Sequence, residues 1–507
     1  MKTIYNKLTA VICCLTASAL LTACGAKNTT EPTAPSLLTP ETHDTVSASS
    51  KAASSVSSAK QSDTDASSKK ASDTDTASQK TSSISSSIFS LIEEPSTDID
   101  EYLYDPDVLR QKAAKKPYKN LFPFFQITDS SAPAGLSEFS TQLFKECFDS
   151  VLSDNNGEPQ NMVISPLSAY IVLSMTANGA VGDTKTEMTN ALGADIEALN
   201  SDINAYVTKT QREESVLQTA NSVFVIKDNV PTLVPSFEET ARNTYFSEIF
   251  HESASEETVS KINSWVSDNT KGMIPGIVSI EDINDDTTLI LLNTAAFDAK
   301  WQTEFDERTT TQKDFHNADG SVSTADFMGD IEYYIITDNK ATGFLKPYKN
   351  EENEGNFCFG ALLPDEGIAV TDYVSSLSCD HIIDMVKNTS YTEAVVMIPK
   401  FTFDGQYMLN TPLQSMGMIS AFDPGRADLS ELAVSDNNIY FSKVMQKTFI
   451  EVTENGTKAA AVTGAFTVQS SVCFESPNRI LFDRPFVFFI YDIDSNIPVF
   501  IGTVCSL

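Results

Sequence analysis

The chain is poor in the side chains on which most metal and nucleophile chemistry depends. Four histidines occur in 507 residues, at 43, 251, 316 and 381. None stands at ligand spacing from a second histidine or a cysteine, so no structural metal site is expected. There is no Gly-x-Ser-x-Gly elbow, no His-Glu-x-x-His helix and no glycine-rich phosphate loop. Carboxylates abound, but nothing singles out a pair for acid–base work. An enzyme is therefore not the favoured reading, and no catalytic residue or cofactor is expected. Basic residues are also short: 35 Lys and Arg face 69 Asp and Glu, a formal charge of −34. Such a surface repels phosphate backbones, which argues against a nucleic-acid partner. Long apolar runs are missing too. The apolar run from Leu8 to Ala23 falls short of the roughly 20 residues of a membrane-spanning helix.

That short run, behind Lys2 and Lys7, reads instead as a secretory signal over residues 1–23. Leu21-Thr22-Ala23-Cys24 is similar to a bacterial lipobox, in which cleavage before Cys24 frees a cysteine whose thiol carries lipid. An ordinary signal peptide whose apolar core contains cysteines, as Cys13 and Cys14 show, is the plainer alternative. The lipobox implies a secreted protein held at the extracellular face of a bacterial membrane. Beyond it, Cys147, Cys358, Cys379, Cys473 and Cys505 form an odd set without close spacing, which is no disulfide framework. From Gly25 to about Ser96 the composition is Ser, Thr, Ala, Asp and Lys, with Ser-Asp-Thr-Asp at 62–65 and again at 72–75. Such a stretch buries too little apolar surface to offset its ordering entropy, so 24–130 reads as a disordered stalk. Its last part, 97–130, carries Tyr102, Tyr104, Leu121, Phe122, Phe124 and Phe125, which could order part of it or dock it on the domain.

Residues 131–507 read as one globular unit. Leu136, Phe139, Leu143, Phe144, Phe148 and Leu152 recur at helical spacing. Pro166 opens a second helix running through Met175. Strand-like runs follow at 222–226, 288–297, 357–363, 394–398, 439–452, 486–493 and 498–504. Helices early and strands late, without regular alternation, predict an α+β fold.

Several motifs then occur in a telling order. Asn161 through Ser168, followed by Leu173-Ser174-Met175 and Asn178-Gly179-Ala180, comes first. Asn293-Thr294-Ala295-Ala296-Phe297 with Trp301 and Phe305 is next. Leu362-Leu363-Pro364, Ile398-Pro399-Lys400-Phe401, Gly417 with Phe422, and Ala427-Asp428-Leu429-Ser430 follow. Phe482-Asp483-Arg484-Pro485-Phe486-Val487-Phe488 closes the series. Together they resemble the serpin family across essentially the whole domain. The resemblance implies a large, mostly antiparallel central sheet with two smaller sheets, eight to nine helices and an exposed reactive-centre loop. It also implies a monomer that inhibits serine-type peptidases, and some cysteine peptidases, as a suicide substrate held in a covalent complex. Ser165, Ser168, Asn293 and Trp301 match positions tied to opening of the sheet. Gln446 stands where many serpins have histidine, and its amide is expected to donate to Asn293.

Glu454, Gly456, Thr457, Lys458, Ala459, Ala460, Ala461, Val462 and Thr463 resemble the hinge of inhibitory serpins. Alone, an alanine run only favours helix. As a segment that becomes a central strand, its alternate residues Thr457, Ala459, Ala461 and Thr463 would enter a packed core, and all are small or modest. Val462, where a smaller residue is common, favours the alternative of a non-inhibitory serpin-like binding module. Counting from Glu454 at the family's spacing puts the cleaved bond at Ser470-Ser471. Counting back from Pro485 puts it at Phe474-Glu475. Val472 and Cys473 lie between, Cys473 as a spacer or a reactive thiol. Small residues suit an elastase-like pocket, and Phe474 a chymotrypsin- or subtilisin-like one. No Arg or Lys lies between Lys458 and Arg479, which disfavours a trypsin-like target.

Overall fold

The computed structural model describes residues 132–210, 215–226, 232–283, 287–349, 356–436, 438–457 and 478–507. The signal, Cys24 and the stalk lie outside the described residues, as do Lys458–Thr463 and the bond candidates Ser470–Glu475.

The first half alternates helices with short strands: α1 (Leu136–Asp154), β1 (Met162–Ile164), α2 (Pro166–Ala177), α3 (Gly182–Leu192), α4 (Ile196–Thr210) and β2 (Leu217–Ile226). Then come β3 (Thr232–Leu233), α5 (Pro235–Asn243), β4 (Glu248–Glu252), α6 (Glu256–Asn269), β5 (Leu289–Phe297) and β6 (Ala299–Lys300). The second half is mostly strand: β7 (Thr311–His316), β8 (Val322–Thr337), β9 (Ala341–Pro347), β10 (Phe357–Pro364), α7 (Val370–Ser376), α8 (Cys379–Lys387), β11 (Ser390–Pro399) and β12 (Phe401–Met408). It ends with α9 (Asn410–Ser415), β13 (Ala433–Val434), β14 (Met445–Thr453), β15 (Gly456–Thr457), β16 (Asn478–Leu481), β17 (Phe486–Asp492) and β18 (Ile497–Val504).

The predicted helix at the start of the domain is α1, whose Leu136, Phe139, Leu143, Phe144 and Phe148 are all buried. The second is α2. Ser165 caps it, accepting the Ser168 amide at 3.3 Å, and Pro166 fills a first-turn position that needs no donor. Nearly every α2 side chain is buried, so the helix runs through the interior. Strands β17 and β18 are buried on both faces and sit inside a nine-stranded sheet in the order β1-β18-β17-β10-β9-β8-β11-β16, with β7 on β8.

The predicted run 439–452 is strand only from Met445 onward. Ahead of it, Ile439 and Phe441 bury their side chains without a ladder, and the Phe441 amide donates to the Ala421 carbonyl at 2.8 Å. Cys147, Cys358, Cys379 and Cys505 are buried and unpaired.

The α+β fold is as expected, with nine α-helices among the described residues. The sheet region that carries Asn293 and Gln446 is parted lengthwise. Strands β4-β2-β5 form one piece and β12-β14-β15-β6 another, and a two-stranded β13-β3 pair lies apart. Among the described residues no ladder joins β5 to β14.

Candidate functional site: the hinge and the divided sheet

The site is built around the chain as it leaves β14. Residues 454–455 turn it back, and β15 then pairs antiparallel on both sides. Val452 faces Thr457 and Thr453 faces Gly456 on one side, while Lys300 faces Gly456 and Ala299 faces Thr457 on the other. Hinge residues Gly456 and Thr457 are thus already a central strand, laddered between β14 and β6, the short strand that follows β5 in the chain, at one end of the seam between β5 and β14.

Packing explains why these residue types stand here. At Gly456 a Cβ would lie 2.1 Å from the Ala299 carbonyl oxygen, so only glycine admits the neighbouring strand this closely. Thr457 is 2% exposed, and its hydroxyl shares a 2.5 Å hydrogen bond with the buried Tyr348 hydroxyl. Trp301 stacks on Tyr348 at 4.6 Å and donates from Nε1 to the Thr453 carbonyl at 2.8 Å. The Trp301 and Phe305 amides donate to the carbonyls of Asn455 and Glu454, both at 3.0 Å. Trp301, matched in sequence to a position tied to opening of the sheet, therefore roofs the hinge.

Glu454 is held by its side chain as well. Its carboxylate accepts from the Thr310 hydroxyl at 2.8 Å and pairs with Lys400 at 3.0 Å. Burial pushes its carboxyl up. Its own backbone amide, Lys400 and Thr310 outweigh that and hold it below the ordinary 4.5. Beneath the roof, Lys346 and Glu332 make a buried ion pair, and the Lys346 ammonium lies 3.9 Å from the Phe305 ring centroid. Burial raises the Glu332 carboxyl, and Lys346 offsets part of that rise.

Midway along the seam, the first turn of α2 reaches both pieces. The Ser165 amide donates to Gln446 Oε1 at 3.0 Å, and Gln446 Nε2 donates back to the Ser165 carbonyl at 2.8 Å. The Ser165 hydroxyl donates to the Val499 carbonyl at 2.9 Å. On the other side the Ser168 hydroxyl donates to Asn293 Oδ1, whose amide donates to Asn221 Oδ1 at 2.7 Å. Strand β14 alternates strictly in burial, which turns Gln446, Thr448, Ile450 and Val452 inward.

The expected contact from Gln446 to Asn293 is corrected by this geometry. The side-chain amide oxygen and nitrogen of Gln446 both bond the Ser165 backbone, and Asn293 is reached through Ser168 instead. The reason is the parting of the sheet, which leaves α2 as the bridge. Asn221, Tyr348, Thr310 and the Lys346–Glu332 pair escaped the sequence reading, because each acts through a partner remote in sequence. Only Lys400 stood inside a motif that had been singled out.

A family model described as "Serpin (serine protease inhibitor)" matches residues 134–507. The chain belongs to the serpin family. Serpin-Z7 of Hordeum vulgare is 32% identical over 375 residues, 70% of this chain and 92% of the relative. The leukocyte elastase inhibitor of Xenopus laevis is 29% identical over 371 residues, 71% of this chain and 97% of the relative. The thermophilic serpin tengpin in its native state superposes with a TM-score of 0.68 at 36% identity, covering 77% of this serpin and 96% of tengpin. The latent state of tengpin gives 0.63. This serpin is thus nearer in shape to the native form than to the latent one. The family consists mostly of protease inhibitors rather than enzymes, and among the described residues no cluster of potential metal ligands occurs.

Proposed function

We propose that this serpin inhibits serine-type peptidases as a suicide substrate. The peptidase opens the loop at one of the bonds from Ser470 to Glu475, is held as an acyl-enzyme, and is displaced as residues 458–463 follow Thr457 into the seam. The observation that carries this reading is the placement of Gly456–Thr457 as a two-sided strand at the mouth of that seam. Beyond it, β5 and β14 are not laddered to each other, and facing strand edges of this kind are templates for another strand. Insertion adding roughly ten main-chain hydrogen bonds at about 0.5–1.5 kcal/mol each rivals the stability of an ordinary domain, about 5–15 kcal/mol. That release is what distorts the bound peptidase before it can deacylate.

The loop composition supports elastase-, chymotrypsin- or subtilisin-like targets, because it offers small residues and Phe474 but no Arg or Lys between Lys458 and Arg479. One relative is named as an inhibitor of leukocyte elastase, which agrees with the small-residue bait. We further propose that cleavage before Cys24 and lipidation of its thiol hold a monomer at the outer face of a bacterial membrane, with 25–130 as a tether. Cys24→Ala is then expected to release the protein into the medium.

The direct test mixes the full chain with pancreatic elastase, chymotrypsin and subtilisin, followed by denaturing gels and mass spectrometry of the released peptide. A complex that survives denaturation is expected, and the peptide's first residue identifies the cleaved bond. Cleavage without a complex by all three, leaving a product no more heat-resistant than the intact chain, would refute the proposal.

A further inference from the structure

Asparagine followed by glycine is the dipeptide most prone to lose its side-chain amide, because glycine lets the next backbone nitrogen approach the amide carbon unhindered. It occurs three times in the chain, at Asn156-Gly157, Asn178-Gly179 and Asn455-Gly456. Their surroundings differ. Asn156 and Gly157 are exposed in the turn after α1. Asn178 is engaged: its side-chain nitrogen donates to the Ser174 carbonyl at 3.0 Å and to Asn200 Oδ1 at 2.9 Å, and its Oδ1 accepts from Asn200 at 2.8 Å. Gly179 is pressed against Leu432. The third pair lies in the hinge turn, where the Asn455 side chain is only half-buried, and among the described residues no hydrogen bond engages it.

What restrains this pair is its backbone. The Asn455 carbonyl accepts from the Trp301 amide at 3.0 Å, the Glu454 carbonyl accepts from the Phe305 amide at 3.0 Å, and Gly456 is laddered to Thr453 and Lys300. The Asn455 carbonyl and the Gly456 N–H belong to one planar peptide unit. Bringing the Gly456 nitrogen onto the Asn455 side chain turns that plane and breaks the Trp301 contact. The seated hinge is therefore resistant, and a hinge that lifts away from β14 and β6 is open to attack.

Resting on the inhibitory reading, we propose that Asn455-Gly456 is a self-modification site through which the inhibitor ages, its amide being lost whenever the hinge leaves its place. The Gly456 nitrogen attacks Asn455 Cγ. A bond forms between them, the bond from Cγ to the side-chain nitrogen breaks, and ammonia leaves with the Gly456 amide proton. Water then opens the cyclic imide at one of its two carbonyls. One product is aspartate, which sets a further carboxylate beside Glu454, whose own is already paired with Lys400 at 3.0 Å. The other is isoaspartate, whose main chain runs through the former side chain and is longer by one carbon–carbon bond, about 1.5 Å. Strand β15 has no slack for it, since even a Cβ at Gly456 would lie 2.1 Å from the Ala299 carbonyl oxygen. Thr457 then loses Tyr348, and the residues behind it meet the seam out of register, so that packed and solvent faces no longer match. The aged molecule is cleaved as a substrate.

The test incubates the full chain in warm, mildly alkaline buffer, which favours loss of the amide proton, and follows all three pairs by peptide mapping that distinguishes isoaspartate. At intervals the covalent yield is read with whichever of pancreatic elastase, chymotrypsin and subtilisin the fresh chain traps, each protein being compared with its own fresh sample. Asn156 is expected to convert steadily and Asn178 to stay intact. Asn455 is expected to convert more slowly than Asn156 in wild type. In Thr457→Arg, whose guanidinium cannot share the buried place of the threonine, it should convert several times faster while Asn156 keeps its pace. The wild-type covalent yield should fall in step with conversion at 455, halving when half is converted. Asn455→Gln, whose longer side chain closes a ring slowly, should keep its yield over the same period, which separates loss at 455 from loss at Asn156. Asn455 left intact when Asn156 is fully converted, an unchanged rate in Thr457→Arg, or conversion without loss of yield would each overturn the ageing site alone. If even fresh wild type forms no covalent complex, the inhibitory reading fails and the ageing of an inhibitor falls with it.

Discussion

Lys346 and Glu332 place two charges under the aromatic roof of the hinge, and both side chains are nearly inaccessible. Removing one charge of a buried pair leaves the other uncompensated, which costs more than the pair gains over apolar residues. Lys346→Met is thus expected to lower unfolding stability by about 3–5 kcal/mol, and pairing it with Glu332→Gln should recover most of the loss in urea titrations. Glu454 makes a different statement, about pH. Its carboxyl is held below its ordinary 4.5, so its contribution is present above that value and lost as pH falls through the lower, folded one. The hinge should therefore loosen as pH falls below the ordinary carboxylate value and through the lower one of the folded state. The checking measurement is stability from pH 3 to 6, in which Glu454→Gln should lack this component of the slope.

At the level of elements, β15 ties the halves of the divided sheet at its mouth and α2 ties them midway. Thr457→Arg would put a guanidinium where a 2%-exposed threonine now meets Tyr348. The expected outcome is expulsion of β15 and slower insertion, so the variant is cleaved as a substrate while its covalent yield falls at least severalfold on gels. Undiminished trapping would mean that the hinge does not enter the sheet at this residue. Much of this element was legible beforehand. Alternating small residues after Glu454 mark a segment that must fit a packed core, and Ser165-Pro166 marks a helix start whatever the fold. What could not be read was pairing across sequence: the choice of Ser165 rather than Asn293 by Gln446 depends on which strands part. Strand β8 was missed because Asp326, Asp330 and Glu332 interrupt its apolar pattern. Glu332 is tolerated there only because Lys346, one turn away on β9, neutralises it.

For the molecule as a whole, the proposed mechanism makes a parted sheet bridged at two points a structure that has not reached its lowest free energy. Strand insertion would complete one continuous sheet. Cutting the loop with a peptidase that is not trapped is expected to raise the apparent unfolding temperature well above that of the intact chain, readable by calorimetry. A change of only a few degrees would mean that the seam does not accept a strand. The overall α+β organisation followed from helical spacing early in the domain and strand-like runs late, since each of these patterns is local. The division of the sheet reflects competition between two long-range pairings, for which no local pattern exists.

The four buried thiols turn this into something that can be timed. Burial pushes Cys379 to about 11 and Cys505 to about 12, and raises Cys147 and Cys358 as well. Since only the thiolate reacts readily, none should be alkylated near neutral pH while the surrounding core is closed. Each is therefore a clock that starts when its own neighbourhood opens. Cys147 sits on the first helix, Cys358 lies on β10 of the nine-stranded sheet, Cys505 follows the end of β18, and Cys379 opens α8. Pulse alkylation with peptide mapping before and after loop cleavage would record which parts of the body breathe as the strand goes in.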